Sequence, residues 1–514
     1  MKRAPAGTEP KPSLGPARSH RVASEMLAFV LPFVVYLMTA APTVYNLDSA
    51  ELSTAASTGG ILRATGYPLY LIVGRVWSEL PLGDVGWRLN VLSAVCGALT
   101  IFLGHRVLRR LGVGPWASAG ALGLLASSRY FWAMSLIAEV YTLHTALVAG
   151  ILLLLLRWEE SPTPARLALA TFTVGLASGN HVATVLLAPG CLWFVLGTAP
   201  REALRWHSLA AAAAGLIAGL SVYLYLPLLY LTSPAFNYAG QYDSSGVFVP
   251  VDLTTISGMW WLVSGRVFAG QMLAYSGTDL LAEFGHFFAE LWRTFLFVGV
   301  GPGVVGAVLL FRRRASTGVA LGLMFAITVG FYVDYRVVDK DTMFLGAYLI
   351  CALWVGIGYQ WLDGLLERSG RIGGGRTALR FVMVAGVIAA VAWNGPRVDL
   401  SDDWSGRDQG EAILSVLEQN ALFVGFWDTT PVVEYLQMVD GRRPDVKAVN
   451  RFLISDKDLL ELLERQHGRR PMFLDTVPGP SLPGVRVAPA GPVFRVIAVN
   501  RDGTPRSRDP GDPR

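Results

Sequence analysis

Asp48 and Glu51 stand three residues apart in the stretch Asn46-Leu47-Asp48-Ser49-Ala50-Glu51-Leu52, directly after an apolar run long enough to cross a bilayer. That spacing puts both carboxyls on one face of a helix. Two chemistries fit. In the first they form a capping box, Asp48 accepting a first-turn backbone N–H while Glu51 reaches back from the third helical position. In the second, a carboxylate at a lipid–water boundary is a general base that takes the proton from an attacking hydroxyl. Partial burial would raise its pKa toward working pH. The two roles are compatible, and either carboxylate of the pair could be the proton acceptor.

Further candidates follow along the chain. "AEVYTLH" places Glu139, Tyr141 and His144 at the start of an apolar helix. Glu139 also suits a helix N-terminus for its dipole alone. "GLASGNH" brings Asn180 and His181 to a turn, where Asn is at home for backbone reasons. Arg266, Arg336 and Lys340 add cations. They could snorkel to headgroups, or hold a phosphate, for which guanidinium forks are suited. Asp334, Asp339 and Asp341 read as salt-bridge partners for those cations, and no metal site or other cofactor is indicated.

The elements that must position these groups are mostly transmembrane. The chain is 53% hydrophobic and 16% charged, against about 25% charged in soluble domains. Its apolar residues cluster into runs of about 20, the length that spans a bilayer core. About eleven spans are expected, at 26–45, 87–108, 115–134, 139–157, 164–180, 182–198, 208–231, 294–311, 317–334, 343–362 and 379–395. With the N-terminus in the cytoplasm, every second connection is basic: Arg106, Arg109 and Arg110, then Arg157 and Arg166, Arg201 and Arg205, Arg312 to Arg314, and Arg368 to Arg380. That alternation obeys the positive-inside rule. It explains the net charge of +5 without a nucleic-acid partner. The first run reads as an uncleaved signal anchor.

This topology collects the polar groups on the outer face. Ionisable residues at membrane depth are expensive and tend to mark function, so several spans converging there suggest one site. Segments 66–80 and 254–273 are apolar but interrupted, and read as helices lying in the outer interface, with Trp260 and Trp261 at headgroup level. Residues 1–25 and 501–514 are expected to be disordered. Residues 396–500 change character. Helices at 407–418, 430–439 and 456–465 alternate with strands at 421–426, 445–449, 471–474 and 493–499, the pattern of a small extracytoplasmic α/β domain. No Gly-rich phosphate loop occurs in it. Cys96, Cys191 and Cys351 lie in apolar runs and read as packing residues.

Seven segments then recur in a familiar order: "NLDSAEL", "GYPLYLIVG", "AEVYTLHTALVAGILLLLLRW", "GLASGNH", "FNYAGQY…WWLVSGRVF", "DKDTMFLGAYL" and "VGFWDTTPVVEYLQMVDGRRPDVKAVN". Together, over residues 26–455, they resemble a family of GT-C-fold membrane glycosyltransferases that includes the animal O-mannosyltransferase of plexin-type IPT domains. The resemblance implies an all-α polytopic domain, a polyprenyl-phosphate-linked sugar donor, transfer outside the cytoplasm, and a catalytic carboxylate in the first outer loop, here Asp48 with Glu51 beside it. The family's loop often carries His-Pro-Pro before Gly-Tyr-Pro-Leu-Tyr; this chain has Arg63, Ala64 and Thr65 before Gly66 and Tyr67. Arg63 is then a candidate phosphate contact, and Tyr67 a substrate contact.

The reading is therefore an inverting glycosyltransferase of a bacterial-type cytoplasmic membrane, passing mannose or a similar hexose to an acceptor protein or glycan. A lipid-linked-sugar flippase is the rival, but transporters carry polar residues through the midplane and these runs are nearly free of charge there. A non-catalytic scaffold would leave the outer-face cluster without a purpose.

Overall fold

The computed structural model describes residues 16–368 and 374–499. Residues 1–15 of the segment 1–25 expected to be disordered, and all of 501–514, lie outside the described residues. Each expected span falls on helix. Seven helices are long and apolar enough to cross a membrane: Val22–Thr39, Val85–Arg110, Val140–Glu160, Trp206–Tyr230, Ala315–Val333, Lys340–Arg368 and Gly374–Val398. The other expected spans are shorter helices: Pro115–Ala126, Pro164–Asn180, Ala188–Thr198 and Val300–Arg313. The chain is a multi-pass membrane protein.

The first helix departs from expectation at both ends. It starts at Pro16, inside the segment expected to be disordered, and stops at Thr39. Residues 40–47 are irregular because they are tied sideways. The Asn90 amide donates to the Ala41 and Thr43 carbonyls, both at 2.9 Å, and accepts from the Ala138 N–H at 2.8 Å. Backbone groups given partners in this way do not need a helix. The tie fixes where Asp48 begins its own helix.

The two interrupted apolar segments do not cross. Pro68–Ser78 has 11 residues, about 16 Å at 1.5 Å per residue, roughly half a bilayer core. Segment 254–273 is not one helix but two short ones, Ile256–Val263 and a 3-10 turn Arg266–Gln271. Gly265 breaks it with φ 64°, a conformation that glycine adopts without strain. Helix Gly277–Thr294 was missed. Its polar residues Asp279, Glu283, His286 and Glu290 interrupt the apolar run and hide an amphipathic period.

Small residues let helices meet backbone to backbone. A Cβ on Gly358 would lie 1.9 Å from the Pro302 carbonyl oxygen, and one on Gly306 1.9 Å from that of Trp354. Helices Val300–Arg313 and Leu345–Arg368 can therefore cross this closely only with glycine at the contact. Gly358→Ala is expected to destabilise by about 1–3 kcal/mol, read as a lower unfolding midpoint in detergent. Gly346→Ala in the same helix, with nothing within 4 Å, should leave the midpoint unchanged or slightly raised.

Residues beyond Val398 form a five-stranded sheet in the spatial order Lys447–Asn450, Leu422–Gly425, Met472–Leu474, Val493–Val499, Val485–Ala490. The first three are parallel and the last two antiparallel to their neighbours. Helices Ser405–Val416, Thr430–Met438 and Asp456–Gln466 pack against it. The edge strand Val485–Ala490 was missed, since Pro489 argues against a strand in sequence.

Candidate active site at the junction of the bundle and the C-terminal domain

Helix Asp48–Thr58 opens without a side-chain cap, so the capping box is not formed. Both carboxylates turn instead to Arg63, which follows in the loop between this helix and Pro68–Ser78. Arg63 Nη2 donates to Asp48 Oδ2 at 2.5 Å, Nε to Glu51 Oε2 at 3.2 Å, and the backbone N–H to Glu51 Oε1 at 2.9 Å. The loop cannot drift. The Ile61 N–H donates to the Phe236 carbonyl at 3.0 Å, Tyr238 N–H returns to the Ile61 carbonyl at 2.9 Å, and a Cβ on Gly60 would strike Phe236.

The C-terminal domain completes this arrangement. Trp427 Nε1 donates to Asp48 Oδ1 at 2.7 Å, and its ring lies under the Arg63 guanidinium, 4.3 Å from centroid to Cζ. Trp427 follows strand Leu422–Gly425, whose neighbours on both sides are parallel and are reached by connections in opposite directions. The carboxyl end of such a strand is where open α/β sheets bind ligands. Here that edge is docked on the carboxylate loop. Asp84 adds a second tie, accepting from Arg407 and Tyr435 at 3.4 Å.

Behind Trp427 a third carboxyl is buried. Glu434 accepts from the Tyr238 hydroxyl, which also accepts from Asn450 Nδ2 at 3.2 Å; the Tyr238 and Trp427 rings are 5.3 Å apart. Burial pushes the Glu434 carboxyl up to about 8; the Tyr238 hydrogen bond pulls it back and Glu51 pushes it further. Burial likewise pushes Glu51 up to about 7, against the pull of Arg63 and with the push of Asp48. Between the ordinary value of 4.5 and these values, the unfolded chain has lost both protons and the folded chain keeps them. Stability must therefore fall as pH rises through that window. The expected unfolding midpoint drops from about pH 5 to about pH 8, and Glu434→Gln flattens the slope; a slope unchanged by the substitution would sink the assignment of a neutral Glu434.

A cavity of about 280 Å³ opens beside this cluster, lined by Asp48, Arg63, Tyr67, Tyr141, His181 and Asp339 together with Phe268, Tyr332 and Tyr335. Of the residues named from sequence, Asp48, Glu51, Arg63, Tyr67, Tyr141 and His181 thus come together. His144 stacks behind His181 with 5.2 Å between centroids. Glu139 is buried at the start of Val140–Glu160, where its side chain accepts from the Val140 N–H at 3.3 Å. Asn180 is a tie between helices, donating to the Val140 carbonyl at 3.0 Å.

The other three cations are not brought in. Lys340 is buried and paired with Glu283 at 2.5 Å. Arg336 lies over Tyr275 and donates to the Ala274 carbonyl at 2.9 Å. Arg266 is exposed and outside the cavity lining. Arg63 is the only Arg or Lys lining the cavity among the described residues. Sequence reasoning missed Trp427, Tyr238 and Glu434; the signal for Trp427 was its place just beyond the first strand of the α/β domain.

Comparison with known proteins agrees with the motif resemblance. Residues 48–205 match the family model described as Protein O-mannosyl-transferase TMEM260 N-terminal domain. Protein O-mannosyl-transferase TMEM260 of Mus musculus is 28% identical over 243 residues, 46% of this chain and 34% of that protein. The Dictyostelium discoideum protein of the same name is 23% identical over 491 residues, 84% of this chain and 58% of that protein. The chain thus spans about a third and somewhat over half of the length of these curated relatives. Among solved structures, ArnT from Cupriavidus metallidurans in the apo state covers 96% of this chain and all of its own, with a TM-score of 0.53 at 14% identity. The fold is GT-C-like, a polytopic helical domain carrying a small α/β domain.

Proposed function

We propose that this chain is an integral-membrane glycosyltransferase that moves a sugar from a polyprenyl-phosphate donor to an acceptor hydroxyl at the Asp48 site. The observation that carries the reading is the pairing of Asp48 with Arg63 at the mouth of an aromatic-lined cavity. A base and a phosphate-binding cation are thereby held in contact. The relatives' naming as protein O-mannosyl-transferases supports mannose as the sugar and a protein as the acceptor.

In this mechanism the acceptor oxygen attacks the anomeric carbon as its proton passes to Asp48. The bond from that carbon to the phosphate oxygen breaks, and the electron pair leaves with the polyprenyl phosphate, inverting the centre. Arg63 stabilises the charge that develops on the departing oxygen. Asp48 is the better base because its side chain is 27% exposed and that of Glu51 only 3%; a base must reach the proton it takes. Glu51 is a positioning residue that holds Arg63. Donor binding would draw Arg63 toward phosphate and free Asp48 Oδ2. The cavity is at the low end of small-molecule sites, about 300 Å³ and upward, suiting a sugar phosphate while the lipid tail lies along outer helix faces.

The acceptor has a second cavity available. A space of about 690 Å³ separates residues 230–250 from the C-terminal domain, with Tyr238 and Glu434 in its wall. The alternation of basic connections supports a cytoplasmic N-terminus and a catalytic face outside the cytoplasm.

The test is transfer of radiolabelled mannose from polyprenyl-phosphate mannose by the full chain in proteoliposomes. Label should move to an added acceptor or to water. A nucleotide-linked mannose serving equally well would overturn the donor class; labelled donor crossing the bilayer intact would favour a flippase.

A further inference from the structure

We propose that the end of the bundle opposite the Asp48 site binds the phosphate headgroup of an anionic glycerophospholipid. A cavity of about 390 Å³ there is lined by Arg313, Arg314 and Arg368, with Gln360, Trp361 and Leu310 among the remaining residues. Arg314 and Arg368 stand at the far ends of helices whose other ends approach the carboxylate site, and Arg313 closes helix Val300–Arg313 beside them. Helix Ala315–Val333 follows Arg314 and ends beside Tyr332, and helix Leu345–Arg368 begins just after Met343; both Tyr332 and Met343 line the donor cavity.

These guanidinium groups lack what usually neutralises them. Arg314 has only a loose partner, Glu159 at 3.7 Å. Arg313 and Arg368 make no ion pair or hydrogen bond with any described residue. The carboxylates near Arg368 in sequence are committed elsewhere: Asp363 and Glu367 bind Arg376 at 2.7 and 2.8 Å. Gln360 Oε1 is taken by the Gly114 N–H at 2.6 Å, and the Trp361 indole N–H has no acceptor among the described residues. The cavity lining therefore carries donors and positive charge, and no carboxylate is among its residues. The three arginines are exposed at the cavity, and a phosphate would accept from several guanidinium N–H groups at once.

The remaining lining decides which phosphate fits. Leu111, Leu309, Leu310, Ile357 and Leu365 share the lining with the cations, so the cavity offers both positive charge and apolar surface. A phosphodiester with acyl chains meets both; inorganic phosphate meets only the first. Trp361 has the amphipathic character that favours headgroup depth. Basic pockets between membrane helices bind anionic headgroups in this way. Basic residues serving topology alone would need no shared cavity.

The experiment is native mass spectrometry of the full chain taken from mixed phosphatidylglycerol and phosphatidylcholine bilayers. Wild type should retain phosphatidylglycerol over phosphatidylcholine, and Arg313→Gln/Arg368→Gln should cut that enrichment about tenfold, as expected for losing charge-assisted contacts. Arg312→Gln, removing a neighbouring charge that does not line the cavity, should leave it intact. Equal loss in Arg312→Gln, or no loss in the double variant, overturns the site. Displacement of the lipid by millimolar inorganic phosphate as readily as by glycerol phosphate carrying acyl chains overturns the lipid assignment in favour of a free anion. Because these residues lie at the far end from Asp48, the result is independent of whether the transfer reaction is found.

Discussion

Asp48→Asn keeps its fold and loses transfer by about 10²- to 10⁴-fold, the range expected for removing a general base. The substitution is nearly isosteric. The amide oxygen of the introduced asparagine can still accept from Trp427 Nε1, which now accounts for one of the two hydrogen bonds at this carboxyl. What the amide cannot do is accept the acceptor proton or balance the charge of Arg63. The comparison that gives the result meaning is Glu51→Gln. Glu51 is nearly inaccessible and grips the Arg63 backbone as well as its side chain. Its loss should raise the donor KM more than it lowers kcat, because it positions a cation and does not touch the acceptor. Initial rates of mannose transfer, measured on variants with matched unfolding midpoints, separate the two. If Asp48→Asn turns over within threefold of wild type while Glu51→Gln is dead, the proton goes to Glu51 and the mechanism must be redrawn.

The two carboxylates were legible in the sequence because their signal is local. They are three residues apart, next to a long apolar run, and an i, i+3 pair needs only a helix to share a face. The apolar runs themselves were legible for the same reason. The partners were not. Arg63 is 15 residues from Asp48 and Trp427 is 379, and nothing in periodicity brings them together. Conversely, Arg336 and Lys340 looked available because their types suit phosphate, yet Arg336 is satisfied by Ala274 and Tyr275 just before helix Gly277–Thr294, and Lys340 by Glu283 on that helix. Glu283 is what disarms Lys340, and it lies on the amphipathic helix whose period the sequence reading did not detect. The missed helix thus also hid the partner of Lys340. Glu434 was invisible for a different reason: a Glu inside a helix of the α/β domain reads as solvated surface until the bundle covers it.

The placement of Trp427 also explains why the α/β domain is present on this side of the helices. Its ring stacks on Arg63 and its N–H occupies Asp48 Oδ1, so the domain contributes directly to the geometry of the proposed base. A cation held over an aromatic face gains roughly 0.5–2 kcal/mol, enough to orient the guanidinium but small beside the charge of a phosphate. The resting contact is therefore one that a donor can displace.

Arg63→Gln is the second change expected to have a large effect, and it acts twice. Glu51 is buried, and removing Arg63 takes away a donor to its carboxyl and leaves a buried acceptor unpartnered, a change worth about 1–3 kcal/mol. The same substitution removes the positive charge from the proposed leaving group, for which donors of this kind contribute on the order of 10²–10³ in rate. The two effects part in the double variant Arg63→Gln/Glu51→Gln. Two amide side chains of similar volume can bond each other and should recover most of the unfolding midpoint, since no buried acceptor is left unpartnered, while transfer stays absent because nothing meets the phosphate. Arg63→Lys is the intermediate case. A single ammonium cannot bind Asp48 and Glu51 through separate N–H groups while stacking on Trp427, so the midpoint should recover in part and donor KM should remain raised. Activity returning with stability in the double variant would make Arg63 a structural counter-ion only, and would leave the donor phosphate without a cation in this cavity.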